Sequence, residues 1–110
     1  MRYPTVGDWI FEPKQIKILV ANLKDERYEF LIALHELIEM YLCKHRGISQ
    51  KEVDLFDINF EKNRKNSEEP GNSLEAPYYF EHQTATNIER HIAQELGVDW
   101  LQYSKALDSL

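Results

Sequence analysis

Two different spacings of apolar residues divide this chain. Over residues 8 to 20 the runs "DWIF" and "IKILV" flank Glu12-Pro13-Lys14-Gln15, which predicts two short extended segments around a turn at Pro13, a small β-hairpin. From Asp25 the spacing changes to three and four. "DERYEFLIALHELIEMYLCKHRG" lacks Pro and Gly until Gly47, which predicts a long helix with a basic last turn and a glycine stop. Ser49 and Glu52 have the spacing of a capping box and open a second helix that runs to about Arg64. "KNSEEPGNSLEAP" is polar and broken by Pro70, Gly71 and Pro77, so an exposed loop is expected. Pro77 suits the first turn of a third helix, "YYFEHQTATNIERHIAQEL", stopped by Gly97, and Asp99 caps a short fourth, "WLQYSKAL". The expected fold is mainly α: a three-to-four-helix bundle with a small N-terminal β-hairpin, one domain over residues 1–110.

At about 100° per residue, Leu31, Leu34, Ile38 and Leu42 share one side of the first helix, yet His35 and Glu39 fall within that sector and Glu36 at its edge. The third helix has a matching irregularity. Tyr78, Ala85, Ile88, Ile92 and Leu96 form its apolar side, with His82 and Glu89 on or beside it, while His91 points away. On the second helix Val53, Phe56 and Phe60 form the stripe, flanked by Asp54, Asp57 and Glu61. An ionised carboxylate in a core is costly unless it is paired or holds a metal. If the three helices pack as a bundle, His35, Glu39, Asp57, Glu61, His82 and Glu89 converge, as facing side chains do in the metal sites of helical bundles.

Composition narrows the chemistry. The 110 residues carry 13 Lys and Arg against 19 Asp and Glu, a formal charge of -6, which disfavours nucleic acid and anionic membranes as partners and favours cations. No apolar run spans a bilayer and "MRYPTVGDWIFEPK" lacks the order of a secretory signal, so a cytoplasmic protein is expected. Cys43 is the only cysteine, so any metal is held by His, Asp or Glu. It is read, with His45 and His91, as having no site role. The tryptophans and tyrosines are read as core. His35, Glu39 and His82 make a three-ligand set suited to a divalent metal, zinc before magnesium, with Asp57, Glu61 and Glu89 as outer partners that orient the ligands. Glu36 is the candidate catalytic base.

His35-Glu36-x-x-Glu39 resembles the H-E-x-x-H helix of zinc metalloproteases, with Glu39 in place of the second histidine. The resemblance implies a metal-dependent hydrolase in which Glu36 activates a metal-bound water. Glu36-x-x-Glu39 with Asp54-x-x-Asp57 is similar to the acidic pairs of the all-α nucleotide pyrophosphohydrolases, where Asp54 departs from the expected Glu; that likeness implies magnesium. "YEFLIALHELIEMYLCKHRGI", "VDLFDINFE", "EPGN", "APYYFEHQTATNIER" and "LGVDW" resemble successive blocks of a small family of uncharacterised bacterial and phage proteins, which implies no activity. A third functional class, a non-enzymatic interaction module with a buried His/Glu network, needs no metal. No substrate, small molecule or peptide, can be read from the chain, and the bundle can be completed within one chain or as a homo-oligomer.

Overall fold

The structure, a computed structural model, describes residues 6–12, 15–64 and 69–109. The hairpin is present as antiparallel strands β1 (Gly7–Glu12) and β2 (Gln15–Val20), in register from Gly7 opposite Val20 to Glu12 opposite Gln15. The turn expected at Pro13 lies outside the described residues. Four α-helices follow: α1 (Glu26–His45), α2 (Gln50–Lys62), α3 (Tyr79–Glu95) and α4 (Trp100–Asp108), with a 3₁₀ turn at Pro70–Asn72 between α2 and α3. The fold is mainly α with a small N-terminal hairpin.

The helix ends are set by local chemistry. Asp25 caps α1 by accepting from Arg27 N, Asp99 caps α4 by accepting from Gln102 N, and Ser49 and Glu52 complete a reciprocal capping box on α2. Gly47 at φ +73° and Gly97 at φ +68° follow α1 and α3, in a left-handed conformation that glycine takes without steric cost.

Four expectations need correction. Helix α3 starts at Tyr79, so Pro77 precedes it instead of sitting in its first turn. The polar segment before it is not simply exposed: Gly71 and Ala76 are buried, because the 3₁₀ turn packs down onto α3. Trp9, Tyr78 and Tyr103 are core residues, but Tyr41 is exposed and Trp100 only half-buried. Finally, the buried arcs of α1 and α3 are turned away from the most apolar positions. Leu31, Ile32, His35, Glu39, Met40 and Cys43 are buried on α1, with Leu34, Ile38 and Leu42 only partly so; on α3 the buried residues are Glu81, His82, Ala85, Glu89 and Ala93, while Ile88 and Leu96 face solvent.

The physical reason is visible in the packing. Helix α1 lies against α3 and the hairpin, and small Ala85 and Ala93 on α3 let the two helices approach. Two apolar clusters form along this contact. Trp9, Met40, Cys43, Val53, Ala76 and Tyr78 make one; Leu31, Ile32, Ala93, Val98 and Tyr103 make the other. His35 and Glu39 occupy the turns of α1 between them, so a polar layer divides the core.

Candidate metal centre

Each member of that layer is placed by helical spacing. His35 and Glu39 are four apart on α1 and project side by side; His82 and Glu89 are two turns apart on the facing side of α3. His35 Nε2 lies 3.0 Å from Glu39 Oε2 and 3.1 Å from His82 Nδ1, and His82 Nδ1 lies 2.8 Å from Glu39 Oε2. All three side chains are buried. The triangle of three potential ligand atoms can hold a metal ion.

The protons explain why that geometry is unusual. Glu89 can only accept when ionised, so His35 donates Nδ1–H to Glu89 Oε1 at 2.8 Å, which leaves the lone pair on Nε2 facing the centre. Tyr103 donates its hydroxyl to the other Glu89 oxygen at 2.6 Å. Trp9 Nε1–H points to Glu39 Oε1 at 3.3 Å, so Glu39 turns Oε2 inward. On the far side of the second ring, His82 Nε2 is 3.2 Å from Glu69 Oε2, close enough to pair but poorly aligned for a hydrogen bond; it is the one buried side-chain polar atom left without one among the described residues. An Nε2–H on His82 leaves Nδ1 as a third inward lone pair. Three lone pairs about 3 Å apart repel unless a cation or proton lies between them. Two imidazole nitrogens and a carboxylate oxygen are a donor set that would suit zinc.

The electrostatics agree with that requirement. Burial would lower the His35 pKa, but its hydrogen bonds with Glu39 and Glu89 push it well above the usual imidazole range. Burial works the same way on His82, where Glu39 and Glu69 outweigh it and raise the group to about 9. Burial alone would raise Glu39; the two histidines bring it down to about 2. Positive charge is thus favoured at the centre whether it is carried by protons or by a metal.

The triangle opens onto a cavity of 760 Å³ whose walls include Asp8, Glu36, Asp57, Glu61, Arg64 and Glu69. Glu36 sits against β1 at Gly7, where a side-chain Cβ would come within 2.9 Å of Glu36 Oε1 and 2.6 Å of Ile32 Cγ2, so glycine is what lets the strand lie this close. Burial, reinforced by the negative charge of Glu39, raises the Glu36 carboxyl well above its usual range. The residues expected as outer partners divide. Glu89 hydrogen-bonds His35 directly; Asp57 accepts from the Tyr78 hydroxyl, and Glu61 pairs with Arg64 one turn along. Asp54 accepts from Gln50 Nε2 at 3.3 Å. His45 and His91 are exposed and Cys43 is a buried free thiol whose pKa burial pushes upward.

Sequence reasoning missed Trp9, Glu69, Gly71 and Tyr103. At Gly71 a Cβ would fall 2.3 Å from His82 Cγ, so the 3₁₀ turn presses its backbone onto the imidazole ring. The "EPGN" stretch carried the available signal, since a glycine in a tight turn also permits close approach. Tyr103 gave none beyond its place on an apolar face. Glu81, also buried, is held by Arg46 at 2.8 Å.

No helix among the described residues is long and apolar enough to cross a membrane. Comparison with protein-family models, with curated proteins and with solved structures finds no match.

Proposed function

We propose that His35 Nε2, Glu39 Oε2 and His82 Nδ1 hold one divalent transition metal, zinc by ligand type, and that the chain is a small metal-dependent hydrolase. One observation carries the reading: three buried ligand atoms turned together within 3.1 Å of one another, beside a cavity, while Glu89 and Glu69 stand behind the rings. Glu89 is engaged by His35 Nδ1 and Tyr103, and Glu69 faces the outer nitrogen of His82. Neither completes a fourth coordination position in this arrangement. Three protein ligands with an open position characterise catalytic zinc, whereas structural zinc is closed by four.

The chemistry follows from the parts. A zinc ion held by His35, Glu39 and His82 would supply Lewis acidity and lower the pKa of water at the centre, and a carboxylate beside it would serve as the proton acceptor. Glu36 lines the same cavity and its raised pKa gives it more basicity than a surface glutamate has. The local H-E-x-x-E resemblance supports the same role. Two imidazoles in the set argue against magnesium, which prefers oxygen ligands; Asp54 and Asp57, which the pyrophosphohydrolase reading requires, have Gln50 and Tyr78 as partners.

The test uses zinc added to metal-free protein, followed by metal analysis after dialysis. One zinc per chain is expected, falling to none in His35→Ala. Glu36→Gln is expected to keep the zinc and lose hydrolysis of an activated ester or a mixed peptide pool. Full zinc affinity in His35→Ala removes the site; unchanged hydrolysis in Glu36→Gln removes the base. A second reading, a non-enzymatic module with a buried His/Glu network, draws on the separations of 2.8 to 3.1 Å, which are also hydrogen-bond lengths. Absence of stoichiometric zinc in the unaltered protein would favour it.

A further inference from the structure

The outer face of α1 has features that the metal centre does not use. Phe30, Leu37 and Tyr41 are 51%, 49% and 63% exposed, and Leu34 and Ile38 beside them are only partly covered. Their spacing is regular. Phe30, Leu34, Leu37 and Tyr41 fall four, three and four apart, the d-a-d-a seam of a helix that packs against another helix. A helix apolar on two sides normally has both sides covered, and among the described residues only the inner side of α1 is covered.

We propose that this face is the interface of a symmetric dimer, with α1 of a second copy laid antiparallel across it. The sequence of the seam is self-complementary about its midpoint between His35 and Glu36. A two-fold axis there sets Phe30 opposite Tyr41 and Leu34 opposite Leu37, so each large side chain meets a large one and each leucine a leucine, as an isologous interface requires. The charges select the direction. Glu26 and Lys44 are both exposed and lie on the same flank of the seam, eighteen positions or five turns apart. In the antiparallel pair Glu26 of each copy meets Lys44 of the other, twice; in a parallel pair Glu26 meets Glu26 and Lys44 meets Lys44. The seam is about 17 Å long, which is small beside a standard interface. A concentration-dependent equilibrium follows, in which the dimer dissociates on dilution.

Sedimentation of the full chain over a dilution series reaching millimolar tests this directly. The expected mass rises from 13.1 kDa toward twice that value. Leu37→Glu is expected to remain monomeric throughout with helicity unchanged by circular dichroism. Glu26→Lys is expected to weaken association roughly tenfold, as reversal of two partly exposed charge pairs does, and Glu26→Lys combined with Lys44→Glu to restore it. A chain that stays monomeric at every concentration overturns the proposal. So does a dimer indifferent to Leu37→Glu, or one in which Glu26→Lys has no effect or the double reversal fails to restore it; the charge series stands even if Leu37→Glu fails to fold.

Discussion

Helix α1 buries a histidine and a glutamate while leaving several large apolar side chains outside. On the inner face His35 and Glu39 are 7% and 5% exposed; on the outer face Phe30, Leu37 and Tyr41 are about half exposed or more. The contrast shows what decides burial here. A leucine gains roughly 1.5–3 kcal/mol from leaving water, but a His/Glu layer whose inward lone pairs share a cation can be accommodated in a core when its partners are supplied on every side. Trp9, Glu89, Tyr103 and Glu69 supply them. The two faces therefore differ in how they respond to change: the inner one fails through unpaired charge, the outer one through loss of a partner.

The largest effect should come from removing the shared acceptor. Glu39→Ala leaves both imidazoles without their common carboxylate, and stripping one partner from a buried ionic group costs about 3–5 kcal/mol. Leu37→Ala, on the outer face, should change the stability of the dilute monomer by about 0.5 kcal/mol or less. Urea denaturation of both variants near pH 6 measures the difference. Comparable losses would mean that the outer face is packed within the monomer, and the contrast would collapse.

A pH titration with and without zinc sharpens it further. His82 has a folded pKa of about 9 against an ordinary 6.5, so the folded state binds more protons over that interval; its contribution is complete below 6.5 and is lost as pH rises through about 9. Glu39 runs the other way: its contribution is present above 4.5 and is lost as pH falls through about 2. Through His82 the metal-free protein should lose on the order of 3 kcal/mol as pH rises from about 6.5 to 9. With zinc the alkaline loss should disappear, because metal binding requires the deprotonated ligands. Parallel pH profiles for the two forms would show that zinc and the protons do not compete for one place.

Much of this was legible before the structure. Ser49 with Glu52, Asp25, Asp99, Gly47 and Gly97 mark helix ends because caps are local, and His35, Glu39 and His82 interrupt apolar patterns at helical spacing. The orientation of α1 was not legible, since apolar residues on two faces give periodicity no preferred side. Glu69 and Gly71 lie in a segment whose composition predicts solvent, and only its docking onto His82 reveals their part. Asp57 and Glu61 have His82's neighbour Tyr78 and Arg64 as partners, a distinction that depends on side-chain geometry beyond the reach of helical spacing.

Gly71 gives the next prediction down. Gly71→Ala places a methyl group 2.3 Å from His82 Cγ, against a ring rather than the end of a flexible chain. The 3₁₀ turn must retreat or the imidazole must turn, at about 1–3 kcal/mol. Zinc affinity should fall with stability if His82 is a ligand as proposed. Thermal unfolding combined with zinc titration checks this. Loss of stability with unchanged zinc affinity would separate the turn from the centre.

The smallest effect isolates a single hydrogen bond of the network. Tyr103→Phe keeps a ring packed at 5.0 Å from Tyr28 and 5.3 Å from Trp100, but removes the hydroxyl that donates to Glu89 Oε2. Burial and the Glu89 charge push the Tyr103 pKa upward, so the hydroxyl keeps its proton across the working range. Without it, one oxygen of a buried carboxylate loses its donor, which should cost about 1 kcal/mol of stability. Glu89 would also be less firmly held against His35 Nδ1, and loosening an outer partner of a metal-binding histidine typically weakens affinity 10- to 100-fold. The expected result is zinc bound at the same stoichiometry and about tenfold more weakly. Tyr41→Phe is the matched control, the same atom removed from an exposed ring on the outer face of α1, and it should alter neither quantity in the dilute monomer. If Tyr103→Phe binds zinc as tightly as the unaltered chain, then Glu89 orients His35 without help from α4, and the support for the inner face ends one residue earlier than the hydrogen bonds suggest.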